Sequence, residues 1–262
     1  MQEARSKRQD TRSKKNFSLS SNFWLLTSCF WFLASNLLLL SLSIAAYQRN
    51  QIWQDDLRLW KDVVEKSLNK ARGYNNVGVS YSLQGRIDEA TTMYKSALRL
   101  KPDYLDAYNN LGNNYSRLGD INAAIAEYKT VLRLKPDDAV ARYNMGNAYE
   151  RKGLLNEAIS EYRSAIKLKP DYLQARSNLG NVYFIQGQIE NAIREFRESL
   201  RLIPDIAETH NNLGVAYGAQ GKITEAIMEF QTALKLKPGF EKAEINLGMV
   251  YKKAGINNDH KK

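Results

Sequence analysis

Asparagine recurs along this chain at one fixed spacing, and its side-chain amide is a group suited to binding. Six asparagines stand 34 residues apart and form what we call the asparagine ladder: Asn76, Asn110, Asn144, Asn178, Asn212 and Asn246. An amide carries a donor and an acceptor, so it can pair with the backbone of an extended peptide whatever that peptide's sequence. Asparagine is a mediocre helix former, so helix propensity does not explain the column. The ladder predicts a polar surface that contacts protein segments.

Two partial columns accompany the ladder. The column three residues after it contains Asn113, Asn147 and Asn181, with Val79, Val215 and Met249 at the ends. The column one residue before it contains Asn75, Asn109, Tyr143, Ser177 and Asn211. We take Asn113, Asn147, Asn181 and Tyr143 as further candidates for contact with a ligand. The alternative is that these amides bond between adjacent helices, and the sequence leaves both roles open.

Residues that could perform catalysis are not grouped in a recognisable way. No nucleophile, base and orienting group can be identified together, and there is no glycine-rich phosphate loop or metal-ligand spacing. The single cysteine, Cys29, allows neither an intrachain disulfide nor a cysteine metal site. His210 falls at a packing position. We therefore expect no catalytic residue, no metal, no small-molecule cofactor and no enzyme activity.

Glycine and proline mark the elements that position the ladder. A first glycine recurs every 34 residues from Gly78, a second follows seven residues later from Gly85, and a proline closes each unit from Pro102. The second glycine tolerates the left-handed conformation just past a helix end, so it predicts the end of a first helix. The proline cannot continue a helix, so it predicts the end of a second. Small residues at Gly78 and Ala90 allow the two helices to approach closely.

This pattern identifies the chain as a member of the tetratricopeptide-repeat (TPR) family. Five units are predicted at 71–104, 105–138, 139–172, 173–206 and 207–240, followed by a capping half-repeat at 241–254 and a tail at 255–262. We number each unit from position 1, so the ladder is position 6. Membership implies an all-α fold, a right-handed superhelix (an α-solenoid) whose first helices line a concave groove. Position 4 departs from the family's bulky residue in later units, at Arg142, Arg176, His210 and Glu244, which we expect to soften individual interfaces.

The ladder resembles the asparagine-lined inner surface of the TPR superhelix in O-linked GlcNAc transferases. That resemblance implies that it grips peptide backbones. Another TPR subtype clamps a C-terminal carboxylate and requires lysine where this chain has Asn75. The chain does not match that pattern, so we do not expect it to clamp chaperone tails.

Net charge gives a weak indication about partners. The chain carries a formal charge of +10, of which residues 1–70 contribute +5 (11 basic, 6 acidic) and residues 71–262 contribute +5 (27 basic, 22 acidic). A nucleic-acid-binding protein usually concentrates its cations in one run or on one face. No such run follows residue 16, so we expect no nucleic-acid partner.

The N-terminal region predicts a basic leader followed by a membrane anchor. Residues 1–16 are a basic, disordered leader, and Phe23–Ala46 is a run of 24 residues without a charge. As a helix this run would extend about 36 Å, enough to cross a bilayer core of about 30 Å. We predict one transmembrane helix at 23–46. More Lys and Arg precede it than follow it, which predicts a cytoplasmic N-terminus and an extracytoplasmic or periplasmic TPR domain.

Other interpretations of 23–46 are open. Ser43 and Ala45 are placed like a signal-peptidase site, and Leu26–Cys29 resembles a lipoprotein-processing box, although the apolar run is long for either. A buried soluble helix is a further reading, but little else in the chain could cover such a helix on all sides.

Residues 51–70 have apolar side chains at helical spacing and predict an amphipathic helix that caps the solenoid, or else binds a partner. Together with the repeats, residues 47–70 resemble the C-terminal part of multi-spanning, mannosyltransferase-like transmembrane-and-TPR proteins. We expect a membrane-anchored scaffold that binds protein or peptide segments. The alternative is an accessory or truncated relative of a membrane TPR glycosyltransferase that presents acceptor proteins.

Overall fold

The computed structural model describes residues 40–42 and 56–256, where every regular element is an α-helix. The chain divides into two compact units, Met1–Glu65 and Lys66–Lys262. The leader at 1–16 lies outside the described residues. Of the predicted span at 23–46, only residues 40–42 are described, and they are helical. Among the residues that are described, no helix has both the length and the apolar character needed to cross a membrane.

The amphipathic helix before the repeats, α1, is shorter at its C-terminal end than predicted. It spans Asp56–Lys66, whereas the sequence predicts helix as far as residue 70, and residues 51–55 are not described. The Lys70 amide donates to the Ser67 carbonyl at 3.2 Å, which makes a tight turn. Lys70 has extended backbone (φ −103°, ψ 101°) because it is the N-cap of the next helix. A residue in that conformation cannot also continue α1.

The second unit contains five helix pairs and one further helix, all within the predicted repeats. The pairs are α2 Ala71–Leu83 with α3 Ile87–Leu100, α4 Leu105–Leu118 with α5 Ile121–Leu134, α6 Ala139–Arg151 with α7 Leu155–Leu168, α8 Leu173–Ile185 with α9 Ile189–Leu202, and α10 Ala207–Ala219 with α11 Ile223–Leu236. The last helix is α12, Glu241–Ala254. Glycines such as Gly153 (φ 78°) take the left-handed conformation between the two helices of each pair, as predicted.

Each pair packs a glycine against an aromatic ring. A Cβ atom added at Gly146 would lie 2.6 Å from Cε1 of Tyr162, and one added at Gly180 would lie 2.5 Å from Cε1 of Phe196. The rings at this position are almost completely buried, with Tyr162 at 0% and Phe196 at 1% exposure. The first glycine of each repeat therefore lets the second helix approach, and the aromatic ring fills the space between them.

Curvature follows from which helices meet. The first helices of neighbouring repeats contact one another, whereas the second helices of neighbouring repeats do not. Each second helix instead packs between its own first helix and the first helix of the next repeat. Within the described unit, the first helices therefore form the inner face of the solenoid and the second helices form its outer face.

Position 4 makes polar contacts where the family has a bulky residue. Arg176 Nη1 lies 3.2 Å from Glu195 Oε2 and also bonds the Pro170 carbonyl of the preceding repeat. His210 lies in the same place, with Nδ1 2.6 Å from Glu229 Oε2 and Nε2 2.8 Å from the Pro204 carbonyl. In place of the bulky side chain, each residue thus makes a bond to a glutamate of its own repeat and a bond to the proline carbonyl of the preceding repeat. His210 has a structural position, in agreement with its packing slot in the sequence.

Candidate functional site

The ladder lies on the first helices, one asparagine on each of α2, α4, α6, α8, α10 and α12. All six side chains are half-buried. One residue further along, position 7 is buried, as at Leu111 and Leu179, both 2% exposed. The ladder therefore stands at the edge of the core on the inner face, where each amide reaches both the neighbouring repeat and the open groove.

Four ladder amides donate to the preceding repeat. Asn110 Nδ2 donates to Asn75 Oδ1 at 3.0 Å, and Asn246 Nδ2 repeats this bond with Asn211 Oδ1 at 2.9 Å. In the intervening repeats the acceptor shifts to position 9. Asn178 Nδ2 donates to Asn147 Oδ1 at 2.8 Å, and Asn212 Nδ2 donates to Asn181 Oδ1 at 3.1 Å. The donor side of the ladder is thus used to tie neighbouring repeats together.

The acceptor side of the ladder is less occupied. Asn76 and Asn212 accept from the asparagine beside them in the same helix, at 3.3 and 3.2 Å. The Oδ1 atoms of the other four ladder residues accept no hydrogen bond from the residues that the structure describes. Because these side chains are partly exposed, the free oxygens are available to a donor in the groove, such as a peptide N–H.

The step between the second and third repeats breaks the pattern. Asn144 makes no side-chain hydrogen bond within the described part of the chain. Its expected acceptor, Oδ1 of Asn109, is buried and has no partner there either. Elsewhere position 6 donates to position 5 or 9 of the preceding repeat, but Asn144 donates to neither, and Oδ1 of Asn113 at position 9 accepts from the Tyr128 hydroxyl at 2.7 Å. The partly exposed Asn144 amide is therefore unused on the inner face, and the Asn109 oxygen is unused below the surface.

The second column is partly structural. The Tyr162 hydroxyl lies 2.7 Å from Asn147 Oδ1 and 2.6 Å from Glu150 Oε2. Burial, together with the Glu150 carboxylate, raises the pKa of Tyr162 well above its ordinary value, so the hydroxyl keeps its proton and donates it. Asn113 is exposed although it accepts from Tyr128, whereas Asn147 and Asn181 are half-buried. Among these three residues Asn113 is the most accessible to a ligand.

Tyr143 belongs to an aromatic cluster. Its ring centroid lies 5.0 Å from that of Tyr172 and 6.0 Å from that of Tyr162. Its hydroxyl accepts a long bond, 3.4 Å, from Asn178 Nδ2. The residue is half-buried, so it contributes both to the repeat interface and to the wall of the groove.

Two sets of polar residues were missed by the sequence analysis. Asn114 is 1% exposed, accepts from the Ser82 hydroxyl at 3.0 Å and donates to the Ile87 carbonyl at 3.3 Å, so it fixes the interface of the first two repeats. Arg117 and Arg151 donate to both the carbonyl and the hydroxyl of a serine one repeat earlier, Ser82 and Ser116. The only sequence signal was a serine at position 12 followed 35 residues later by an arginine.

Among the residues that the structure describes, no group of three or more histidine, cysteine, aspartate or glutamate side chains is placed to hold a metal ion. The carboxylate of Glu150, on the first helix α6, accepts a hydrogen bond from the Tyr162 hydroxyl at 2.6 Å. What the groove offers is a series of amides that can bind polar backbone.

Comparison with known proteins agrees with the fold. The family described as TPR repeat matches residues 78–119, 112–153, 151–186 and 180–221, and the family described as Tetratricopeptide repeat matches residues 207–240. Two curated relatives from Drosophila melanogaster, Protein O-mannosyl-transferase Tmtc2 and Tmtc3, are each 31% identical over 71 residues, or 27% of this chain. The match spans only 7% and 8% of the lengths of those two proteins.

Several solved structures share this fold. The structure of YrrB, described as a TPR protein with an unusual peptide-binding site, is 21% identical with a TM-score of 0.58 over 71% of this chain and 96% of its own. MamA is 28% identical with a TM-score of 0.58 over 64% and 91% of the two chains. PilF of Pseudomonas aeruginosa is 19% identical with a TM-score of 0.64 over 71% and 84%. The residues that match the two repeat families, 78–240, cover more than half of the chain. The chain therefore belongs to the tetratricopeptide-repeat family.

Proposed function

We propose that this protein is a membrane-tethered TPR scaffold whose groove binds extended segments of other proteins through the asparagine ladder. The observation that carries the proposal is the free hydrogen-bonding capacity of the partly exposed ladder amides, above all at Asn144, which has no side-chain partner among the described residues. A hydrogen bond between a ligand and such an amide contributes about 0.5–1.5 kcal/mol. The step between the second and third repeats is the expected centre of the site.

Backbone recognition fits the chemistry of this step. An extended peptide presents N–H and C=O groups at regular intervals, and the groove offers amide oxygens at Asn110, Asn144 and Asn178 together with the amide donor of Asn144. Membership of a family of protein-interaction repeats supports this, as does the peptide-binding site named for YrrB. We propose binding and no catalysis, since the groove contains no assembled catalytic group.

Two substitutions separate binding from folding. Asn144→Ala removes an amide with no partner in the described chain, so we expect the free energy of unfolding to change by less than about 0.5 kcal/mol and peptide affinity to fall about tenfold. Asn178→Ala removes a bonded amide, so we expect a loss of about 0.5–1.5 kcal/mol in stability. Peptides selected from a displayed library of random 15-residue segments provide the probe, with affinity measured by fluorescence polarisation.

The binding control is Asn156→Ala, at an exposed position of the second helix α7, which loses a bond from Gln186 Nε2 at 2.9 Å but should leave affinity unchanged. Methylation of central backbone nitrogens in the selected peptide should weaken binding as much as Asn144→Ala does. If Asn144→Ala binds like the wild type, the ladder serves only to join repeats and the groove proposal fails.

The tether is proposed from the sequence of residues 23–46 and the cations before it. We propose that the N-terminus is cytoplasmic and the repeats are extracytoplasmic. A topology reporter fused after Lys262 tests this, because an alkaline phosphatase fusion is active only outside the cytoplasm. If the phosphatase fusion is inactive and a reporter that works only in the cytoplasm is active at the same position, the proposed orientation is wrong.

A second candidate function rests on the two curated relatives. Because 71 residues match proteins named as O-mannosyl-transferases, the chain could present acceptor proteins to a membrane glycosyltransferase. Co-purification of the full chain with a multi-spanning transferase, lost in the Asn144→Ala variant, would favour this role over a general scaffold.

A further inference from the structure

The second helices carry a stripe of exposed cations that is dispersed in the sequence and gathered in the structure. Nine Lys or Arg occupy positions 25 and 29 of the five repeats, and all nine are exposed: Lys95, Arg99, Lys129, Arg133, Arg163, Lys167, Arg197, Arg201 and Lys235. Position 29 is basic in every complete repeat. We call this set the outer basic stripe.

Helix geometry places the stripe away from the groove. The buried positions of a second helix are 20, 24 and 27, for example Ala158, Tyr162 and Ala165 on α7, each 0% exposed. At about 100° per residue, position 29 falls almost opposite the mean direction of those three. Because the second helices form the outer face of the repeat unit, position 29 points outward from each repeat. The cations thus follow one another along the outside of the solenoid.

Most of these cations make no ion pair, although Lys95 lies over the Tyr115 ring and Arg99 donates to the Ser96 hydroxyl. Of the nine cations, only Arg201 makes an ion pair with a carboxylate among the described residues, at 2.9 Å from Glu198. The C-terminal halves of α5 and α7, residues 128–134 and 162–168, hold four of the cations and no carboxylate. A run of unpaired cations on one face attracts an extended anionic surface.

Partly exposed apolar side chains accompany the cations. Directly after position 29 stand Leu100, Leu134, Leu168 and Leu236, which are 42%, 41%, 42% and 36% exposed. Met228, on the same outer face, is 61% exposed. Cations with adjacent apolar side chains are typical of surfaces that lie in the headgroup region of a bilayer.

A nucleic acid would be recognised by a different surface. Binding of a single strand normally requires exposed aromatic rings on which bases stack. The positions between the cations are instead small, hydroxyl or aliphatic, as at Ala126, Thr130, Ser160 and Ser164. The chain itself contains an uncharged apolar run, Phe23–Ala46, long enough to enter a bilayer.

We propose that the outer basic stripe binds the surface of a bilayer that contains anionic lipids, which leaves the groove facing away from the membrane. This contact is additional to any tether at residues 23–46 and independent of what the groove binds. It orients the solenoid, because a tether alone would leave the repeats free to rotate. The favourable interaction should weaken at high ionic strength, where exposed charges are screened.

The experiment measures how close the outer face lies to the bilayer. The full chain, with Cys29→Ser, carries one environment-sensitive fluorophore at Ser160→Cys and is reconstituted in vesicles of phosphatidylcholine with or without about 30% phosphatidylglycerol. We expect the emission to rise about twofold in the anionic vesicles, and to return to the neutral-vesicle value in about 0.5 M NaCl. The same apolar run can insert into both kinds of vesicle. Its contribution therefore cancels from the ratio of the emission in anionic vesicles to the emission in neutral vesicles.

The decisive variant replaces Lys129, Arg133, Arg163 and Lys167 with Gln. We expect its anionic-to-neutral ratio to fall to about 1, with an unchanged circular dichroism spectrum, because these side chains are exposed and make no ion pair in the described chain. A control with the same loss of charge replaces Lys222, Lys242, Lys252 and Lys253 with Gln. These four lysines are exposed and outside the stripe, so the control should keep the wild-type ratio. A label at Gln174→Cys, on a first helix, should respond to neither vesicle.

Three outcomes would overturn the proposal. The first is a wild-type ratio of 1. The second is a control variant that loses as much of the ratio as the stripe variant, since net charge alone would then be responsible. The third is a label that responds to a 30-nucleotide DNA at 0.15 M salt but not to anionic vesicles, which would make the stripe a nucleic-acid surface.

Discussion

Ser199 is a polar residue at a buried position that is apolar in the other four repeats. It is 1% exposed, and its hydroxyl has no hydrogen-bond partner among the described residues. The same position is Ala97, Val131, Ala165 and Ala233 in the other repeats, all 0% exposed. A buried hydroxyl without a partner loses its bonds to water and gains none in return.

Ser199→Ala should therefore stabilise the protein by about 1–2 kcal/mol, because it removes an unsatisfied hydroxyl without creating a cavity. Ser164→Ala is the control, since Ser164 bonds the Ser160 carbonyl at the surface at 2.9 Å. Both changes raise helix propensity equally, so the difference between their thermal midpoints isolates the buried hydroxyl. An equal shift in both variants would contradict the assignment.

Position 4 shows how a residue can change type and keep its role. Arg142 reaches Glu161 at 3.0 Å and Arg176 reaches Glu195 at 3.2 Å, while Tyr108 in the second repeat bonds the Pro102 carbonyl through its hydroxyl at 3.2 Å. Each side chain satisfies the carbonyl of the proline that ends the preceding repeat. In repeats two to five the donor is tyrosine, arginine or histidine, whereas α12 has the exposed Glu244 at this position, whose carboxylate cannot donate.

At the scale of the helix pair, close approach depends on the first glycine. Gly146 lies on α6 directly against Tyr162 of α7, and the Cε1, Cδ1 and Cζ atoms of that ring leave no room for a methyl group. Gly248, at the same position in α12, has no atom within 4 Å of an added Cβ among those the structure describes. The two glycines are alike in sequence and differ only in what packs against them.

Gly146→Ala should destabilise the protein by about 1–3 kcal/mol, because the added methyl group overlaps a buried ring that is part of the core. Gly248→Ala should instead stabilise it by about 0.5–1 kcal/mol, because alanine is the better helix former and the site is open. Chemical denaturation with both variants measures the two signs directly. Stabilisation by Gly146→Ala would show that the ring can move aside without cost.

At the scale of the whole molecule, the repeats form a one-dimensional stack. Within the described residues each second helix contacts its own first helix and the next one, and first helices contact their neighbours. No described helix of one repeat reaches beyond the adjacent repeat. Stability is therefore a sum of terms from repeats and from the interfaces between neighbours.

A local defect should consequently stay local. In the Gly146→Ala variant we expect amide exchange by mass spectrometry to accelerate about 5-fold to 150-fold in α5 to α8. Exchange in α2 and α12 should be unchanged, because neither touches the third repeat. A uniform acceleration across all helices would show instead that the stack unfolds as one cooperative unit.

The sequence by itself determined the family, the helix pairs and the residues that line the inner face. The 34-residue period did this because glycine, aromatic side chains and proline each meet a local requirement that repeats in every unit. It also placed the ladder, but an asparagine looks the same whether its amide is bonded or free. Only the packing of the repeats shows that Asn178 is tied to Asn147 while Asn144 and Asn109 lack partners.

Tertiary structure also decided which cations lie on the same face. Along the chain they are separated by four residues within a helix and by 34 residues between helices, so no run appears in the sequence. Stacking brings the same residues to one side of the repeats, because the second helices form the outer face and each exposes positions 25 and 29. The sequence fixes the order of residues in one dimension, whereas charge acts between neighbours in space, and the solenoid decides which residues those neighbours are.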